Sequence, residues 1–279
     1  MKDKNALPIH ILPDTQFLAA DEQIAFGEHF INHRINFYAI IWFTEDQDVH
    51  FIDFEPFPIR KNKVYLLARN QVHAIPSELL PAAKIIVFSS DFFHALDETQ
   101  LKQLFLPFEN EGINIPSEHF GYVEKLFSLI LLEFNGDADI NLLIKYTSIF
   151  LSLLRRFLKQ HSQRIYNGDI RITKLLQLIE RHFKEHKPVS FYADQIGLTS
   201  KRVNEILKEV VNANISQLCQ QLLLLESKRA LYTGVHSVKE IAFDLGFSDQ
   251  SYFSRFFRKH TGSSPENFRK SFSPNPGTR

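Results

Sequence analysis

The chain has 279 residues, of which 44% are hydrophobic and 23% are charged. This composition is typical of a folded globular protein and excludes disorder of the whole chain, and the length allows two domains of ordinary size. The formal net charge is zero, yet residues 1–165 carry 15 Lys and Arg against 21 Asp and Glu, whereas residues 166–279 carry 17 against 11. The basic excess in the second part favours an acidic first domain joined to a domain that approaches phosphates.

Cysteine usage and hydropathy exclude further classes of protein. The single cysteine, Cys219, excludes an internal disulfide and a cysteine zinc cluster, and it fits a reducing compartment. The first ten residues lack the apolar segment of a signal peptide, and no stretch approaches the eighteen or so apolar residues of a membrane helix. We therefore expect a cytoplasmic protein with no membrane partner.

The first region has the pattern of short strands. Residues 36–43 are rich in aromatic and β-branched side chains, and residues 50–54 alternate between polar and apolar. Residues 63–67 and 84–88 predict further strands. Because Pro and Asn residues separate these segments, the pattern indicates a small barrel or sandwich.

After this β-region the apolar residues recur with the period of a helix. Residues 118–134 and 140–160 predict two strongly apolar helices, and Asn135 with Gly136 ends the first. Apolar faces this wide are buried, either on the β-domain or against a second copy of the chain. Residues 118–160 are therefore a predicted self-association region, with packing on their own domain as the alternative.

Residues 162–169 are polar and predict a linker between a domain of residues 1–165 and a domain of residues 166–279. From residue 170 the chain has the pattern of helices alone. The first of these helices ends before Pro188, because proline disfavours helix in the residue that precedes it. Its apolar stripe consists of Ile172, Leu175, Leu176, Ile179 and Phe183.

Two segments of the second domain, residues 189–208 and 238–258, repeat one pattern. Each has a short apolar helix, a glycine, one apolar residue, Thr or Ser, and then a second amphipathic helix. Gly197 and Gly246 stand where the chain leaves the first helix, a position that often needs a positive φ. Thr199 and Ser248 are predicted N-caps of the second helices. The pattern therefore predicts two helix-turn-helix units.

The second helices, residues 200–209 and 249–259, each have a core side and a polar, partly basic side. A helix that presents such residues from its N-terminal half suits the major groove of DNA. One helix-turn-helix pattern alone also fits an ordinary capped helix corner, but two copies joined by a helix are far more specific. The predicted core positions are Val203, Ile206 and Leu207 in the first unit, and Tyr252, Phe253, Phe256 and Phe257 in the second.

Residues 189–270 resemble the DNA-binding domain of the AraC-type (AraC/XylS) transcription regulators. The first unit is the looser match, through residues 191–193 with Leu198 and Thr199. The second unit follows the family signature through Ile241, Ala242, residues 246–249, residues 251–259, Gly262, Pro265, Phe268 and Arg269.

The first domain is similar, through residues 52–54 and 71–73, to the cupin-like effector domain of many family members. The resemblance therefore implies an α+β first domain, a cupin-like β-barrel followed by two helices. It implies an all-α second domain, in which a linker helix joins the two helix-turn-helix units.

The connecting helix, residues 215–232, departs from the family pattern. Residues 222–225 are four consecutive leucines where relatives often carry an arginine, and Ile215 stands where a proline often begins the helix. Asn212 replaces a usual glycine, and asparagine tolerates the left-handed conformation well. These departures concern packing details rather than the fold.

The resemblance implies a sequence-specific DNA-binding transcription regulator that is not an enzyme and needs no cofactor. The two second helices enter successive major grooves about 34 Å apart. Double-stranded DNA is the implied partner, and RNA polymerase, a small-molecule effector and a second copy of the chain are further candidates. The candidate DNA-binding residues are Thr199, Lys201, Arg202, Asn204, Glu205, Lys208, Ser248, Asp249, Gln250, Ser251, Ser254, Arg255, Arg258 and Lys259.

These candidates divide into two classes of contact. Lys208, Arg258 and Lys259 are expected to hold phosphates. Base reading is assigned to Lys201, Arg202, Asn204 and Glu205 in the first groove, and to Asp249, Gln250, Ser251 and Arg255 in the second. For each residue the alternative is a solvated helix face, and Arg255 has the further alternative of pairing with a carboxylate of a neighbouring helix.

Four histidines, His29, His33, His50 and His73, raise the question of a cupin metal site. The spacing of metal-binding cupins, with two histidines one residue apart and a glutamate shortly after, is absent. We therefore expect ordinary surface or core histidines and no metal.

Aromatic residues of the first domain could serve either a ligand or the core. Tyr38, Trp42, Phe51 and Phe54 fit a small-molecule pocket, but they equally fit the filled interior of a barrel. Tyr38, Trp42 and His73 are the weak candidates for effector binding, and nothing in the sequence identifies a ligand.

Two other classes of function fit parts of the sequence. One is a cupin-type enzyme or ligand-binding protein with a helical appendage, and the other is an adaptor that has kept the helical fold but lost DNA reading. The missing metal spacing, and the lack of a nucleophile-base pair or phosphate-binding glycine loop, argue against the enzyme. The polar, basic face of both second helices argues against the adaptor.

Overall fold

A computed structural model of the chain describes residues 8–21, 32–77, 79–96, 98–105, 110–161, 170–211 and 213–272. One compact unit spans Pro8–Gly168, and the other contains Asp169–Arg279. The predicted linker at residues 162–169, together with His29 and Asn212, lies outside the described residues. None of the described helices is long and apolar enough to cross a membrane.

The first unit is built on two five-stranded sheets. The outer sheet has the order β1-β3-β8-β5-β6, and the inner sheet has the order β10-β7-β4-β9-β2. The strands are β1 (Ile9–His10), β2 (Phe17–Ala20), β3 (His33–Ile35), β4 (Tyr38–Phe43), β5 (Val49–Ile52), β6 (Glu55–Pro58), β7 (Lys63–Leu67), β8 (Val72–Ala74), β9 (Ala83–Phe88) and β10 (Ile113–Asn114).

The predicted strands are confirmed, with one correction. The strand predicted over residues 50–54 ends at Ile52, because Asp53 and Phe54 have φ values of 52° and 72° and form the turn that leads to β6. A strand needs negative φ throughout, so neither residue can extend β5.

The central strands of the inner sheet are covered on both faces. Ala39, Ile41 and Phe43 of β4 belong to a core shared with the outer sheet. Ile40 and Trp42, which point the other way, belong to a core shared with helices. Since successive side chains of a strand alternate between faces, a strand buried on both sides must be apolar without interruption.

The helical cover of the inner sheet comes from α3 (Phe120–Asn135) and α4 (Ile140–His161), which confirms the two predicted long helices. The Trp42 ring lies 5.7, 6.1 and 6.4 Å, between centroids, from the rings of Phe120, Phe127 and Phe150. Most of the apolar surface of both helices is thus buried on their own domain. Shorter helices precede them: α1 (Ser90–Ala95), α2 (Thr99–Lys102), and 3-10 turns at Gln103–Phe105 and Ser117–His119.

The second compact unit contains helices and no strand within its described residues. The predicted apolar stripe is buried, with four of its residues on the first helix and Phe183 in the 3-10 turn that follows. The helices are α5 (Ile170–His182), a 3-10 turn (Phe183–Glu185), α6 (Val189–Ile196), α7 (Ser200–Val211), α8 (Ile215–Thr233), α9 (Val238–Asp244), α10 (Gln250–Thr261) and α11 (Pro265–Phe272).

A row of four buried histidines crosses the outer sheet, with one residue on each of four neighbouring strands: His10 on β1, His33 on β3, His73 on β8 and His50 on β5. The rings of His10 and His33 stack with centroids 3.7 Å apart, and His33 meets His73 edge to face at 5.5 Å. Nδ1 of His50 lies 3.1 Å from Nε2 of His73. Among the described residues no three His, Cys, Asp or Glu side chains are arranged as a metal site.

Burial disfavours the charged form of three of these imidazoles, those of His10, His50 and His73. It lowers the pKa of His50 to about 3, and the Lys63 charge adds to the effect. Burial also lowers the pKa of His10, and it lowers that of His73 well below the ordinary value, with the neighbouring histidines contributing. Nε2 of His50 is buried without a hydrogen-bond partner, which is costly and makes the row a weak point of the domain.

We predict that the first domain loses stability as the pH falls below about 6.5, the pKa of an unperturbed histidine. In that range the unfolded chain binds protons that the folded row does not, so the free energy of unfolding falls by up to about 1.4 kcal/mol per pH unit for each such histidine. Trp42 is the only tryptophan of the chain and is buried in this domain, so its fluorescence during urea unfolding reports the transition.

His50→Phe should reduce this pH dependence, because phenylalanine keeps an aromatic ring beside Tyr65 and Phe43 but takes up no proton. His94→Gln, at an exposed position on α1, is the matched control and should leave the dependence unchanged. An equal loss of stability with pH in His50→Phe and the unmodified chain would contradict the prediction.

Candidate nucleic-acid interface

The second unit contains two helix-turn-helix arrangements, α6 with α7 and α9 with α10. Gly197 follows α6 with a φ of 67°, and Gly246 follows α9 with a φ of 81°, which confirms the predicted left-handed turns. In each turn the next backbone N–H, that of Leu198 or Phe247, donates back to the first helix, over 3.0 and 2.9 Å. The two turns therefore have the same local geometry.

The N-caps of the two second helices differ by one position. Oγ1 of Thr199 accepts a hydrogen bond from the backbone N–H of Arg202 at 3.2 Å, as expected for the cap of α7. The cap of α10 is Asp249 rather than Ser248, and its carboxylate accepts from the N–H of Tyr252 at 2.7 Å. That hydrogen bond lowers the pKa of Asp249. The prediction for Ser248 as a cap was wrong because a carboxylate one residue later reaches the same N–H groups and is favoured by the helix dipole.

The α7 helix has one apolar and one charged side. Val203, Ile206 and Leu207 are buried, as predicted. An Nη1 of Arg202 lies 3.4 Å from an Oε2 of Glu205, one turn along the helix. The helix carries three basic and two acidic residues, so its positive charge is partly neutralised. The predicted residues on its exposed side are Lys201, Arg202, Glu205 and Lys208.

The α10 helix has the more basic exposed side. Phe253 and Phe257 are fully buried. The helix contains two arginines and one lysine and no acidic residue, and the only carboxylate at its start is the cap. Gln250 and Ser254 are half-buried. The predicted residues that are exposed along it are Ser251, Arg255, Arg258 and Lys259.

Tyr252 was predicted as a core residue, yet 51% of its side chain is exposed. Its ring packs edge-on against Phe247 with centroids 5.6 Å apart, and the rest of it faces solvent. Residues three and seven positions later in a helix share a face, so Tyr252 lies beside Arg255 and Lys259. That spacing was the available signal that the aromatic ring belongs to the exposed side.

Among the predicted base-reading residues of α7, Asn204 is the one that is not fully exposed. It is half-buried, and its Oδ1 accepts a hydrogen bond from the backbone N–H of Ile215 at 3.2 Å. Ile215 is the first residue of α8, whose N-cap is Asn214. The Asn204 carbonyl oxygen thus helps to fix the start of the connecting helix.

The structure does not bring the three effector candidates together. Tyr38 and Trp42 lie on the helix-facing side of the inner sheet, where Tyr38 stacks on Phe93 at 3.9 Å and Trp42 is 1% exposed. His73 belongs to the histidine row of the outer sheet. The packing of Trp42 corresponds to the alternative in which these aromatic residues fill the core.

Residues 192–271 match the model of a helix-turn-helix domain family. The HTH-type transcriptional activator RhaS of Escherichia coli O81 (strain ED1a) is 25% identical over 248 residues, which cover 86% of this chain and 88% of the relative. RhaS of Salmonella heidelberg (strain SL476) is 27% identical over 258 residues, which cover 89% of each chain.

Among solved structures, ToxT from Vibrio cholerae O395 covers 87% of this chain and 92% of its own, with 17% identity and a TM-score of 0.46. The C-terminal domain of AraT, a response regulator from Geobacillus stearothermophilus, covers 39% of this chain and 91% of its own, with 21% identity and a TM-score of 0.36.

The match at residues 192–271 covers both helix-turn-helix arrangements, and the curated relatives extend over the first domain as well. The paired turns, the capped second helices and these relatives agree with the signature found in the sequence. The chain is therefore similar over most of its length to HTH-type transcriptional activators, and residues 192–271 form the helix-turn-helix domain that the AraC-type resemblance implies.

Proposed function

We propose that this regulator binds a specific site on double-stranded DNA through α7 and α10, which enter successive major grooves. The observation that carries the proposal is that each second helix buries its apolar side in the domain and leaves a polar, basic side uncovered within the described residues. Such a side supplies both hydrogen-bonding groups for base edges and positive charge for phosphates.

On α10, Arg255 and Gln250 are the proposed base readers. Arginine can form two hydrogen bonds with guanine, and glutamine can do so with adenine. Arg258 and Lys259 lie toward the helix end and are proposed to hold phosphates, and Tyr252 adds an aromatic ring to the same side. Ser248, Asp249, Ser251 and Ser254 complete the polar lining of this helix, with Asp249 also acting as its cap.

On α7, Lys201 and Arg202 are proposed to read bases, and Lys208 to hold a phosphate. Glu205 pairs with Arg202 in the free protein, so it can orient the guanidinium or accept from a cytosine amino group. Thr199, as the cap, is proposed to lie near the backbone of the first groove. Because Asn204 already holds the start of α8, we assign it a positioning role rather than base reading.

The RhaS relatives are transcriptional activators, which suggests the direction of regulation. We propose that this chain, acting in the cytoplasm, likewise activates transcription and so has RNA polymerase as a second partner. We further propose that the first domain, whose cupin likeness is an inference from its motifs, responds to a small-molecule effector.

A homodimer is proposed to form through α3 and α4. Their buried sides lie on the inner sheet, but Tyr122, Leu129, Leu132 and Ile149 remain exposed, by 54%, 45%, 69% and 46%. The first three lie on α3 with helical spacing and so form one stripe. Exposed apolar groups of this size on adjoining helices favour burial against a second copy of the chain.

The proposed DNA binding should weaken steeply with salt, because each neutralised phosphate releases counterions. With the three basic side chains proposed to hold phosphates, Lys208, Arg258 and Lys259, a plot of log affinity against log salt should have a slope of about −3. Fluorescence anisotropy of the full chain with genomic fragments that it selects measures this slope. A slope near zero would overturn DNA binding and favour the adaptor function.

Replacing Arg255 and Lys259 should separate base reading from phosphate contact. Arg255→Ala should cost about 1–3 kcal/mol on the preferred site and blur the preference at one base position. Lys259→Ala, on the same side of α10, is the matched control and should weaken all sequences about equally. An equal loss on preferred and random DNA for Arg255→Ala would mean that Arg255 does not read a base.

Leu132→Glu should weaken self-association, because it places a charge in the proposed dimer contact at its most exposed apolar residue. Leu79→Glu makes the same change at a position that is 78% exposed and outside α3 and α4, and it should have no effect. Sedimentation of the full chain at tens of micromolar measures the outcome. A monomeric unmodified chain, or equal effects of the two substitutions, would contradict the proposal.

A further inference from the structure

The turn of the second helix-turn-helix unit rests on the segment that leads into the first unit. A Cβ on Gly246 would lie 2.0 Å from the carbonyl oxygen of Lys184 and 3.1 Å from Cδ2 of His186. The following residue, Phe247, is buried, and its ring meets the His186 ring edge to face with centroids 5.5 Å apart. We call residues 183–186 the entry segment.

Gly246 differs in this respect from two other turn glycines of the helical domain. Gly197 and Gly262 also have positive φ, 67° and 76°, but a Cβ at either would meet nothing within 4 Å. Backbone conformation alone accounts for these two glycines. At Gly246 the missing side chain additionally lets the turn contact the backbone of the entry segment. This is a packing requirement between the two helix-turn-helix units.

The entry segment is fixed within the first helix-turn-helix unit. Phe183 is 8% exposed, and the 3-10 turn that contains it packs against α8. On the side of α6, the ring of His182 meets that of Phe191 edge to face at 5.2 Å. A contact with the entry segment is therefore a contact with the first helix-turn-helix unit.

Two contacts that join the two helix-turn-helix units can be described. The first is α8, which joins them covalently and packs against α5, α9, α10 and α11. The second is the contact between the entry segment and the turn at Leu245, Gly246 and Phe247. A single helix can bend and twist at its ends, and a second contact between the two helix-turn-helix units restricts this freedom.

We propose that the contact between the entry segment and Gly246 with Phe247 sets the relative placement of α7 and α10, and thereby the spacing of the two DNA subsites that the protein accepts. His186 and Gly246 are positioning residues that act through Phe247 and the turn. This inference rests on the proposed DNA-binding function.

The geometry of DNA makes this placement a matter of specificity. Adding one base pair between two subsites moves the second groove by about 3.4 Å and turns it by roughly 35°. A rigid pair of helices then cannot engage both grooves, and losing simultaneous engagement costs on the order of 100-fold in affinity. A pair that can shift recovers the second contact and tolerates the insertion.

The test measures the affinity of the full chain for duplexes that carry the preferred site with zero or one base pair inserted between subsites. His186→Gly removes the ring contact with Phe247, while glycine adopts the φ of 50° found there. Gly246→Ala places a methyl group against the Lys184 carbonyl. In both variants the insertion should cost less than about tenfold, against on the order of 100-fold in the unmodified chain.

Gly262→Ala is the matched control, because it carries the same positive-φ penalty without a contact, and it should keep the full insertion penalty. Circular dichroism selects the variants that remain folded. If folded His186→Gly and Gly246→Ala both keep the penalty of the unmodified chain, the entry segment does not set the spacing and the proposal fails.

A measurement without DNA separates this proposal from the proposed function. Spin labels at Lys208→Cys and Lys259→Cys, in a Cys219→Ala background, report the distance between α7 and α10 by pulsed electron resonance. The distance distribution should be narrow in the parent and broader or shifted in His186→Gly. Salt-independent DNA affinity with this broadening would overturn the function alone, whereas normal DNA binding with an unchanged distribution would overturn the positioning role alone.

Discussion

Both helix-turn-helix units depend on the burial of α8. The helices α6, α7, α9 and α10 are short, and helices of this length are marginal by themselves because nucleation is costly. Leu222 and Leu223 are both buried although neighbouring helix residues point about 100° apart, so α8 is covered on more than one side. The run of leucines at residues 222–225 stands where the resemblance leads one to expect an arginine. Burial of α8 on more than one side explains why apolar residues occupy this place.

The charge distribution on α7 and α10 also follows from the burial of their apolar sides. Once each second helix has buried its apolar side in the shared core, its remaining side must be polar, and this side is the one that a nucleic acid can approach. The distribution is unequal, since α10 has no acidic residue while α7 pairs Arg202 with Glu205. The α10 helix therefore carries more of the uncompensated positive charge than α7 does.

In the first domain the controlling constraint is the inner sheet, which is covered on both faces. Helices α3 and α4 close one face and the outer sheet closes the other, so β4 is apolar along its length, and β7 and β9 are apolar apart from Lys63 and Lys84. This explains why Trp42 is a packing residue and why Tyr38 and Trp42, on the helix-facing side of the inner sheet, do not meet His73 of the outer sheet. The histidine row supplies four of the buried polar side chains among the described residues of this domain, beside Asp53, Gln71, Lys84 and Thr147.

The sequence by itself determined the local features of this protein. The two turns at Gly197 and Gly246, the buried positions on α7 and the apolar stripe of α5 follow from backbone conformation and helix period, which depend on residues within about four positions. The family signature of the second helix-turn-helix unit could be recognised in the sequence for the same reason. The division of charge between the two parts of the chain is also a property of sequence alone.

Only the tertiary structure decided which distant residues meet. Strand order brings His10, His33, His50 and His73 into one row, although up to 63 positions separate them. The packing of the helices lets the Asn204 side chain accept a hydrogen bond from the backbone of Ile215. It also brings Gly246 against the carbonyl group of Lys184. Alternation along β4 shows that its two faces differ, but not which face meets the helices. Such contacts depend on how whole elements pack, and no local period encodes that choice.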